Sequence, residues 1–494
     1  MNATAWSILV GESGDAEEDC RAGPGPEGYT LDYSPFSFES DCRHPAPPPT
    51  WSDAGVKPGA YTHPAGVHVA PLPHGFHLVQ SPHAPVGPAV LAPSVFGRWA
   101  GFRAPAPLRD AADRRLVQLT LLRPLDAAPR LCAAAPGALT VWLHITNACD
   151  LDCVYCYVRR SSARMSKATG LRAVEAVFAN AAQHGFREVK LKYAGGEASL
   201  HFALVRRLHA RAAELARQHD VRLREVLLTN AVHLRPTDVD WLAREGVRVM
   251  ISLDGVGERH NASRPLRNRE GADTFAAVAH TVDHVLLPRG IRPDVNMVVT
   301  ARTAPGAADV ARWAIIEREL PTSFTFYRPN LLSRGRTDLE LEEAALLSGM
   351  QSAYRVLERA LPTWSFTGGL LDRVSAEART HACGVGQNYL VITHTGALAQ
   401  CQMHLDRPVR ADLQGDLLAA VAAGPLINLP VEQKTGCRDC ALRYRCAGGC
   451  PLETFRATGR WDVQSPHCAL YRALLPAVLR LEGLRLMKAH GCLQ

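Results

Sequence analysis

Three closely spaced cysteines place the strongest constraint on what this chain can fold into and do. Cys149, Cys153 and Cys156 stand in the pattern Cys-x-x-x-Cys-x-x-Cys. A [4Fe–4S] cubane normally takes four thiolates, so three cysteines hold three irons and leave the fourth open to a small molecule. Structural zinc is the alternative, but zinc sites usually use four ligands in two well-separated pairs. The spacing therefore favours an iron–sulfur cluster with one open coordination position.

The residues around these cysteines resemble the signature of radical S-adenosylmethionine (SAM) enzymes. The string from His144 to Tyr157 reads HITNACDLDCVYCY. The resemblance implies that the three cysteines hold the catalytic cluster, whose open iron binds the amino and carboxylate groups of SAM. It also implies that Tyr155, the aromatic residue before the third cysteine, lies near the adenine.

Seven further cysteines lie in the last quarter of the chain. They resemble, cysteine for cysteine, the SPASM domain that many radical SAM enzymes carry after the catalytic barrel to hold two auxiliary clusters. The resemblance assigns four of them to an outer cluster, namely Cys437, Cys440, Cys446 and Cys468. It assigns the other three to an inner cluster, namely Cys383, Cys401 and Cys450. Three [4Fe–4S] clusters are therefore expected.

The motif gives the inner cluster no fourth ligand, because no cysteine lies between Cys383 and Cys401. That iron is then either open or bound by a group other than cysteine. His404 and Asp406 are nearby candidates, although polar loop residues usually face water. An open iron could bind and deprotonate a substrate thiol, since metal-bound thiols ionise readily.

Composition agrees with an intracellular enzyme rather than a disulfide scaffold. The chain has 494 residues, 14 cysteines and 47% hydrophobic residues, which is ample for a packed core. Its first residues lack the pattern of a signal peptide, and no stretch approaches the ~20 apolar residues of a membrane span. We therefore expect a cytoplasmic protein without a membrane partner. The modest net charge of +7, without an arginine-rich helix, argues against a nucleic-acid partner.

The chain divides into segments of different character. Residues 1–65 are rich in proline and glycine and are predicted to be poorly ordered. Residues 66–135 are predicted to form a small domain that weakly resembles the winged-helix peptide-recognition elements of some radical SAM enzymes, with a plain packing domain as the alternative. Residues 346–380 are predicted as a helical linker, residues 381–470 as the SPASM domain and residues 471–494 as a C-terminal helix.

Residues 138–345 alternate between apolar strand-like runs and amphipathic helices, which predicts a parallel α/β architecture. Six strands are predicted, at Leu139–Ile145, Val189–Ala194, Leu223–Thr229, Val247–Leu253, Asp294–Val299 and Phe324–Tyr327. This number matches the partial (β/α)6 TIM-type barrel that the resemblance implies. In such barrels the chemistry lies at the carboxyl ends of the strands.

A glycine pair and a glutamate follow the second predicted strand directly. Gly195 and Gly196 lack a Cβ, so their backbone can approach a ligand closely. The carboxylate of Glu197 can pair with an ammonium group. The resemblance assigns this unit to the methionine amino group of SAM.

Polar residues also stand at the ends of the later strands. Asn230 ends the third strand and Ser252 the fourth, and the resemblance places the Ser252 hydroxyl on the ribose of SAM. It places Arg264 near the SAM carboxylate, although a surface role is the alternative. Asn296 and Tyr327 follow on later strands. A role in lining the cavity and a role in the core or rim are equally expected for these two residues.

The resemblance implies an oxidoreductase that cleaves SAM to a 5′-deoxyadenosyl radical and oxidatively modifies a ribosomally made peptide or protein. An external reductant of the flavodoxin or ferredoxin type would supply single electrons. An open inner iron favours a thioether crosslink from cysteine sulfur to carbon, with a carbon–carbon or cyclophane link as the alternative. Gln402 follows Cys401 and cannot act as a general base, which argues against formylglycine formation of the sulfatase type.

Two hypotheses from other classes remain open. One is a radical enzyme acting on a small molecule, for example a heme or quinone precursor. The other is a non-catalytic iron–sulfur carrier, against which the candidate SAM residues Gly196, Ser252 and Arg264 argue.

Overall fold

The computed structural model describes most of the chain. The described residues are 8–10, 58–84, 87–126, 137–333, 335–375 and 378–493. The segment 1–65, predicted to be poorly ordered, lies largely outside them. The described residues form an N-terminal part, a central α/β domain and a cysteine-rich C-terminal part.

The N-terminal part contains two small sheets and two helices. Its strands are β1 (Ile8–Val10), β2 (Ala60–Thr62), β3 (His68–Pro71), β4 (His77–Gln80), β5 (Ala89–Leu91), β6 (Ala106–Pro107) and β7 (Arg123–Pro124), and its helices are α1 (Pro93–Ala100) and α2 (Ala111–Gln118). One sheet has the order β1-β5-β4-β3 with antiparallel neighbours, and the other has the order β6-β2-β7. Val79, Leu91, Trp99, Phe102 and Leu116 belong to a local core between these elements.

One face of the four-stranded sheet joins the main core of the protein. Leu72, Leu78 and Val90 belong to the same buried cluster as the central domain. The sheet packs so closely on the C-terminal helix that a Cβ added to Gly483 would lie 3.0 Å from Leu78 and 3.1 Å from Leu72. Arg445 also donates a 2.8 Å hydrogen bond to the carbonyl of Ala84. The N-terminal part is thus docked on the C-terminal part.

The six predicted strands form one parallel sheet, which confirms the predicted architecture. They are β8 (Ala138–Thr146), β9 (Glu188–Gly195), β10 (Arg222–Thr229), β11 (Arg248–Ser252), β12 (Asp294–Val299) and β13 (Thr322–Phe326). Their spatial order follows their chain order, and neighbouring strands pair in parallel register. Every residue of β8 is buried, as expected for a strand covered on both faces.

The cysteine-rich part extends this sheet beyond β8, which the sequence did not predict. Strand β14 (Tyr389–Ile392) pairs in parallel with β8, and β15 (Leu398–Ala399) pairs with β14 in antiparallel fashion. Both strands are fully buried and apolar, so they continue the core of the central domain. The two parts therefore share one sheet of eight strands.

Helices connect and cover the strands. Those of the central domain are α3 (Lys167–Gln183), α4 (Phe202–His219), α5 (Pro236–Arg244), α6 (Glu258–Ser263), α7 (Thr274–His280), α8 (Ala307–Val310) and α9 (Glu343–Arg359). The hydroxyl of Ser166 caps α3 by accepting a 3.0 Å hydrogen bond from Thr169 N–H. The predicted linker 346–380 is helical only to Arg359, because Pro362 disfavours helical backbone at the residue before it.

The C-terminal part ends in one long helix. Its helices are α10 (Leu417–Ala422), α11 (Arg443–Cys446), α12 (Pro451–Thr458) and α13 (Cys468–Ala489). Leu474, Leu475 and Val478 of α13 are buried in the main core. A search of the described ranges finds no helix with the length and apolar character that crossing a membrane requires.

Candidate functional site

The first cysteine group lies in the loop after β8, at the carboxyl end of the sheet. The thiols of Cys149, Cys153 and Cys156 are close enough to interact electrostatically with one another, so the structure brings all three together. Burial, with the repulsion of neighbouring thiols, raises the pKa of Cys149 and of Cys153 to about 12. The metal-free thiols therefore hold their protons, and metal binding would release them.

The two glycines after β9 let this loop lie directly against the sheet. Gly196 N–H donates to the Thr146 carbonyl at 2.7 Å, and Glu197 N–H donates to the Ala148 carbonyl at 2.8 Å. A Cβ on Gly195 would lie 2.4 Å from the Thr146 oxygen, and one on Gly196 would lie 2.3 Å from the Ala148 oxygen. Neither position has room for a side chain, so the two glycines allow the start of the cysteine loop to lie directly against the end of β9.

Glu197 and Asn230 connect the ends of β9 and β10 to the same loop. The buried Glu197 carboxylate accepts hydrogen bonds from the backbone N–H of Asn230 at 2.7 Å and of Ser199 at 3.1 Å. The Asn230 amide donates to Asp150 at 2.6 Å, beside Cys149. In this structure the Asn230 side chain and the Glu197 backbone hold the cysteine loop, and the Glu197 carboxylate holds the Asn230 backbone. Contact of either side chain with SAM stays a prediction.

A buried ion pair stands beside the second cysteine. The Arg264 Nε donates to Asp254 Oδ2 at 2.6 Å, and its Nη1 lies 3.7 Å from the sulfur of Cys153. Asp254 also accepts from the Tyr155 hydroxyl and from Val298 N–H at 2.9 Å. Burial raises the pKa of Tyr155 well above its ordinary value, so the phenol keeps the proton that it donates.

This arrangement gives Arg264 and Tyr155 partners that sequence reasoning did not assign. No role was assigned to Asp254 from the sequence. The available signal was a carboxylate just after a strand, followed ten residues later by an arginine that could pair with it. The predicted roles of Arg264 at the SAM carboxylate and of Tyr155 at the adenine stay predictions. In the structure, Arg264 is a cation next to a cysteine sulfur.

The remaining candidates lie at neighbouring strand ends. Ser252 ends β11 and pairs in register with Asn296 of β12. The Asn296 side chain accepts a 2.6 Å hydrogen bond from Thr325, so it is held within the sheet. The Tyr327 hydroxyl is bonded to Ser333 at 2.5 Å, which ties it to the following loop.

The C-terminal cysteines surround two separate cavities. One cavity is lined by the predicted outer group of Cys437, Cys440, Cys446 and Cys468. The other is lined by the predicted inner group of Cys383, Cys401 and Cys450. Because iron–sulfur clusters are held by cysteine thiolates, sulfur donors around a cavity fit such clusters in chemical kind.

The inner cavity is also lined by basic and amide side chains. Lys192 of β9, Arg373 and Gln402 line it together with the three cysteines. The described lining does not include His404 or Asp406, the two ligand candidates that the sequence suggested. Lys192 belongs to strand β9, so this cavity adjoins the central α/β domain.

Tyr157 lies between the first cysteine group and the inner group. Burial raises its pKa, and the thiols of Cys156 and Cys401 raise it further. These two cysteines belong to different groups, so both groups come within electrostatic range of one phenol. Within the described ranges, no set of three or more His, Cys, Asp or Glu side chains is placed to hold a single metal ion.

The chain is similar to two curated proteins over part of its length. It is 25% identical over 322 residues to the sporulation killing factor maturation protein SkfB of Bacillus subtilis, covering 63% of this chain and 71% of that protein. It is 23% identical over 190 residues to an uncharacterised protein of Methanocaldococcus jannaschii, covering 38% of this chain. The chain spans only 62% of the length of that second relative.

A solved structure shares the fold. The structure of anSMEcpe with bound AdoMet and Cp18Cys peptide superimposes with a TM-score of 0.55 at 18% identity, covering 71% of this chain and 99% of that one. Residues 143–286 match the radical SAM superfamily in sequence, and this range contains the three-cysteine loop and strands β9 to β11. Residues 143–286 are therefore a radical SAM domain.

Proposed function

We propose that this chain is a radical SAM maturase that oxidatively crosslinks a ribosomally made peptide or protein through a thioether bond. The observation that carries the proposal is the grouping of ten cysteines into sets of three, three and four, with the first set in the radical SAM domain. Three [4Fe–4S] clusters and SAM are the proposed cofactors, and a flavodoxin or ferredoxin is the proposed reductant. When bound, the first cluster and SAM supply a 5′-deoxyadenosyl radical.

Similarity to known proteins supports a peptide substrate. SkfB is a maturation protein for the sporulation killing factor, and the structure of anSMEcpe contains bound AdoMet and a peptide. A peptide in this chain would enter at the carboxyl ends of the strands, where the first cysteine group lies. We infer the same class of substrate here.

The inner cavity supports a thioether product. It is lined by three cysteines and by the side chains of Lys192 and Arg373. Burial raises the pKa of Cys401 to about 11 although Arg373 opposes the rise, so a thiol here would become a thiolate through binding to an open iron, since metal-bound thiols ionise readily. Thioether formation takes one hydrogen atom from a substrate carbon, and one proton and one electron from a substrate thiol. The hydrogen atom goes to the deoxyadenosyl radical, and the electron goes to an acceptor, which is the proposed role of the auxiliary clusters.

The N-terminal sheet supports a place for the leader of a precursor peptide. Strand β1 covers the β5 edge, whereas β3 pairs only with β4 among the described strands. An extended peptide could add to the β3 edge through backbone hydrogen bonds. Val69→Asp, at the 38% exposed residue of β3, should then weaken peptide binding, because an edge charge opposes strand addition.

The inner cluster provides the test of the thioether chemistry. The anaerobically reconstituted protein is incubated with SAM, reductant and a cysteine-bearing precursor peptide, sought among the short reading frames beside this gene. Cys383→Ala should leave SAM cleavage detectable and stop formation of the crosslinked product. Cys492→Ala, at a cysteine outside the three groups, is the control and should change neither reaction.

The product itself distinguishes the remaining chemistries. A peptide whose cysteines are replaced by serine should give no product. Product from that cysteine-free peptide would refute the thioether and favour a carbon–carbon link. Reconstituted protein that contains zinc and almost no iron would refute the proposed function as a whole.

A further inference from the structure

One buried lysine stands between the two cysteine groups of the C-terminal part. Lys434 precedes Cys437 by three residues, and its backbone carbonyl accepts the N–H of Cys437 at 3.1 Å. The residue is 1% exposed. Its ammonium donates a 3.0 Å hydrogen bond to the carbonyl of Ala447. The basic side chain of Lys434 is therefore buried in the interior of the cysteine-rich part.

The position of Ala447 places that ammonium between the two proposed clusters. Ala447 follows Cys446, a predicted ligand of the outer cluster, and precedes Cys450, a predicted ligand of the inner cluster. The segment between them turns sharply, since Ala447, Gly448 and Gly449 have φ angles of 46°, 75° and 72°. The carbonyl that binds Lys434 thus belongs to the short link between the two groups.

The glycine at position 448 leaves space for the Lys434 side chain. A Cβ on Gly448 would lie 2.7 Å from Lys434 Cδ and 3.0 Å from its Nζ. The left-handed backbone at Gly448 also favours glycine. The ammonium has electrostatic neighbours in both groups, namely Cys437 and Cys446 of the outer group and Cys383 and Cys450 of the inner group.

Other cations also lie near these cysteines. Arg379 interacts with Cys446 of the outer group, and Arg373 interacts with Cys401 of the inner group. Burial lowers the pKa of the Lys434 ammonium, and the neighbouring cysteines oppose that shift. An ammonium taken out of water is stabilised only where anions or hydrogen bonds compensate. Cysteine sulfurs are anionic when they hold iron, so loaded clusters would supply that compensation from two sides.

We propose that Lys434 is a shared counter-charge for the two auxiliary clusters and that it makes both easier to reduce. This inference rests on the proposed function, because it requires that both cysteine groups hold clusters. One-electron reduction adds a negative charge to a cluster, and a nearby buried cation stabilises the reduced form more than the oxidised form. Lys434 would thereby favour uptake of the electron that product formation releases.

The test measures cluster reduction rather than turnover. Full-length, anaerobically reconstituted protein is titrated with a reductant, and the reduced clusters are followed by electron paramagnetic resonance. Lys434→Met removes the charge at similar length, and Lys434→Arg keeps it. Lys488→Met is the control for loss of a lysine at the surface. The ammonium of the exposed Lys488, at the end of α13, also donates to a backbone carbonyl, that of Leu361 at 2.8 Å.

We expect Lys434→Met to make reduction of both auxiliary clusters at least tenfold less favourable, a fall of ~59 mV in each midpoint potential for a one-electron couple. Lys434→Arg and Lys488→Met should leave both potentials close to those of the parent protein. The cluster of the radical SAM domain should keep its potential in all variants. A shift in only one auxiliary cluster, or in neither, would overturn the shared role.

Iron content keeps the inference testable if Lys434→Met loads poorly. Loss of both auxiliary clusters, ~8 of ~12 irons, with full loading of Lys434→Arg would support the shared counter-charge. Loss of one cluster only, or equal loss in Lys434→Arg, would overturn it and indicate a packing role. A parent protein that binds only ~4 irons would instead refute the assignment of the auxiliary clusters, and the inference with it.

Discussion

Asp254→Asn tests whether the buried ion pair beside Cys153 stabilises the fold around the three-cysteine loop. Asp254 is fully buried and accepts hydrogen bonds from Arg264 at 2.6 Å, from Val298 N–H at 2.9 Å and from the Tyr155 hydroxyl. Asparagine keeps the shape of the side chain but removes the negative charge. Arg264, itself 7% exposed, would then be a buried cation without its counter-ion.

Removing one partner of a buried ion pair costs ~3–5 kcal/mol. We take about 3 kcal/mol, because the asparagine can still accept one of the hydrogen bonds. For a domain of this size each kcal/mol lowers the melting temperature by ~2–4 °C, so we expect a fall of about 6–12 °C. Thermal unfolding followed by circular dichroism, with iron content measured on the same samples, provides the assay.

The matched control is an ion pair of equal length at the surface. Arg289 Nε and Asp240 Oδ1 are also 2.6 Å apart, but the Asp240 side chain is 56% exposed. Asp240→Asn should cost less than about 1 kcal/mol, because water screens and replaces the lost interaction. Equal shifts in melting temperature for the two variants would refute the reasoning from burial.

A double variant distinguishes loss of the ion pair from a general loss of side-chain packing. Adding Arg264→Met to Asp254→Asn removes the uncompensated cation, so the double variant should be more stable than the Asp254→Asn single variant. Additive destabilisation would mean that the two side chains do not act as a pair.

Three further predictions follow from other parts of the structure. Gly196→Ala should displace the cysteine loop, because its Cβ would lie 2.3 Å from the Ala148 oxygen. Elemental analysis should then show the loss of about a third of the iron. The control Gly97→Ala, whose Cβ meets nothing within 4 Å, should keep the full iron content. Replacing Cys149, Cys153 and Cys156 together by alanine should also remove about a third of the iron and should abolish SAM cleavage. Although burial opposes it, hydrogen bonds from Arg98 and Arg109 lower the pKa of Asp113 to about 2, below its ordinary value of 3.8. Because the pKa of Asp113 is lower in the folded state than in the unfolded state, this stabilisation is present above pH ~4 and is lost as the pH falls to ~2. The free energy of unfolding should change by about 2 kcal/mol over this range, as measured by hydrogen exchange of residues 87–126. Asp113→Asn should abolish the change.

Local sequence patterns were sufficient to predict the six parallel strands and the first cysteine group, whereas the two C-terminal groups were predicted from the resemblance to the SPASM domain. The six strands of the central domain lie within two residues of their predicted starts, because each is an apolar run followed by a helix with its own start and stop signals. Cys149, Cys153 and Cys156 come together because short spacers along one loop leave them little freedom to separate. Spacing of this kind is a property of the covalent chain, so it can be read without the fold.

The partners of buried charges were decided by tertiary structure alone. Strand β14 was not predicted to join β8, since pairing of Tyr389 with Thr140, 249 residues apart, has no local signal. Nor does the sequence show that Arg264 reaches both Asp254 and Cys153, or that Lys434 binds the link between Cys446 and Cys450. The hydrogen bonds of a polar side chain depend on which groups burial brings within about 3 Å, and that is determined only when the whole chain has packed.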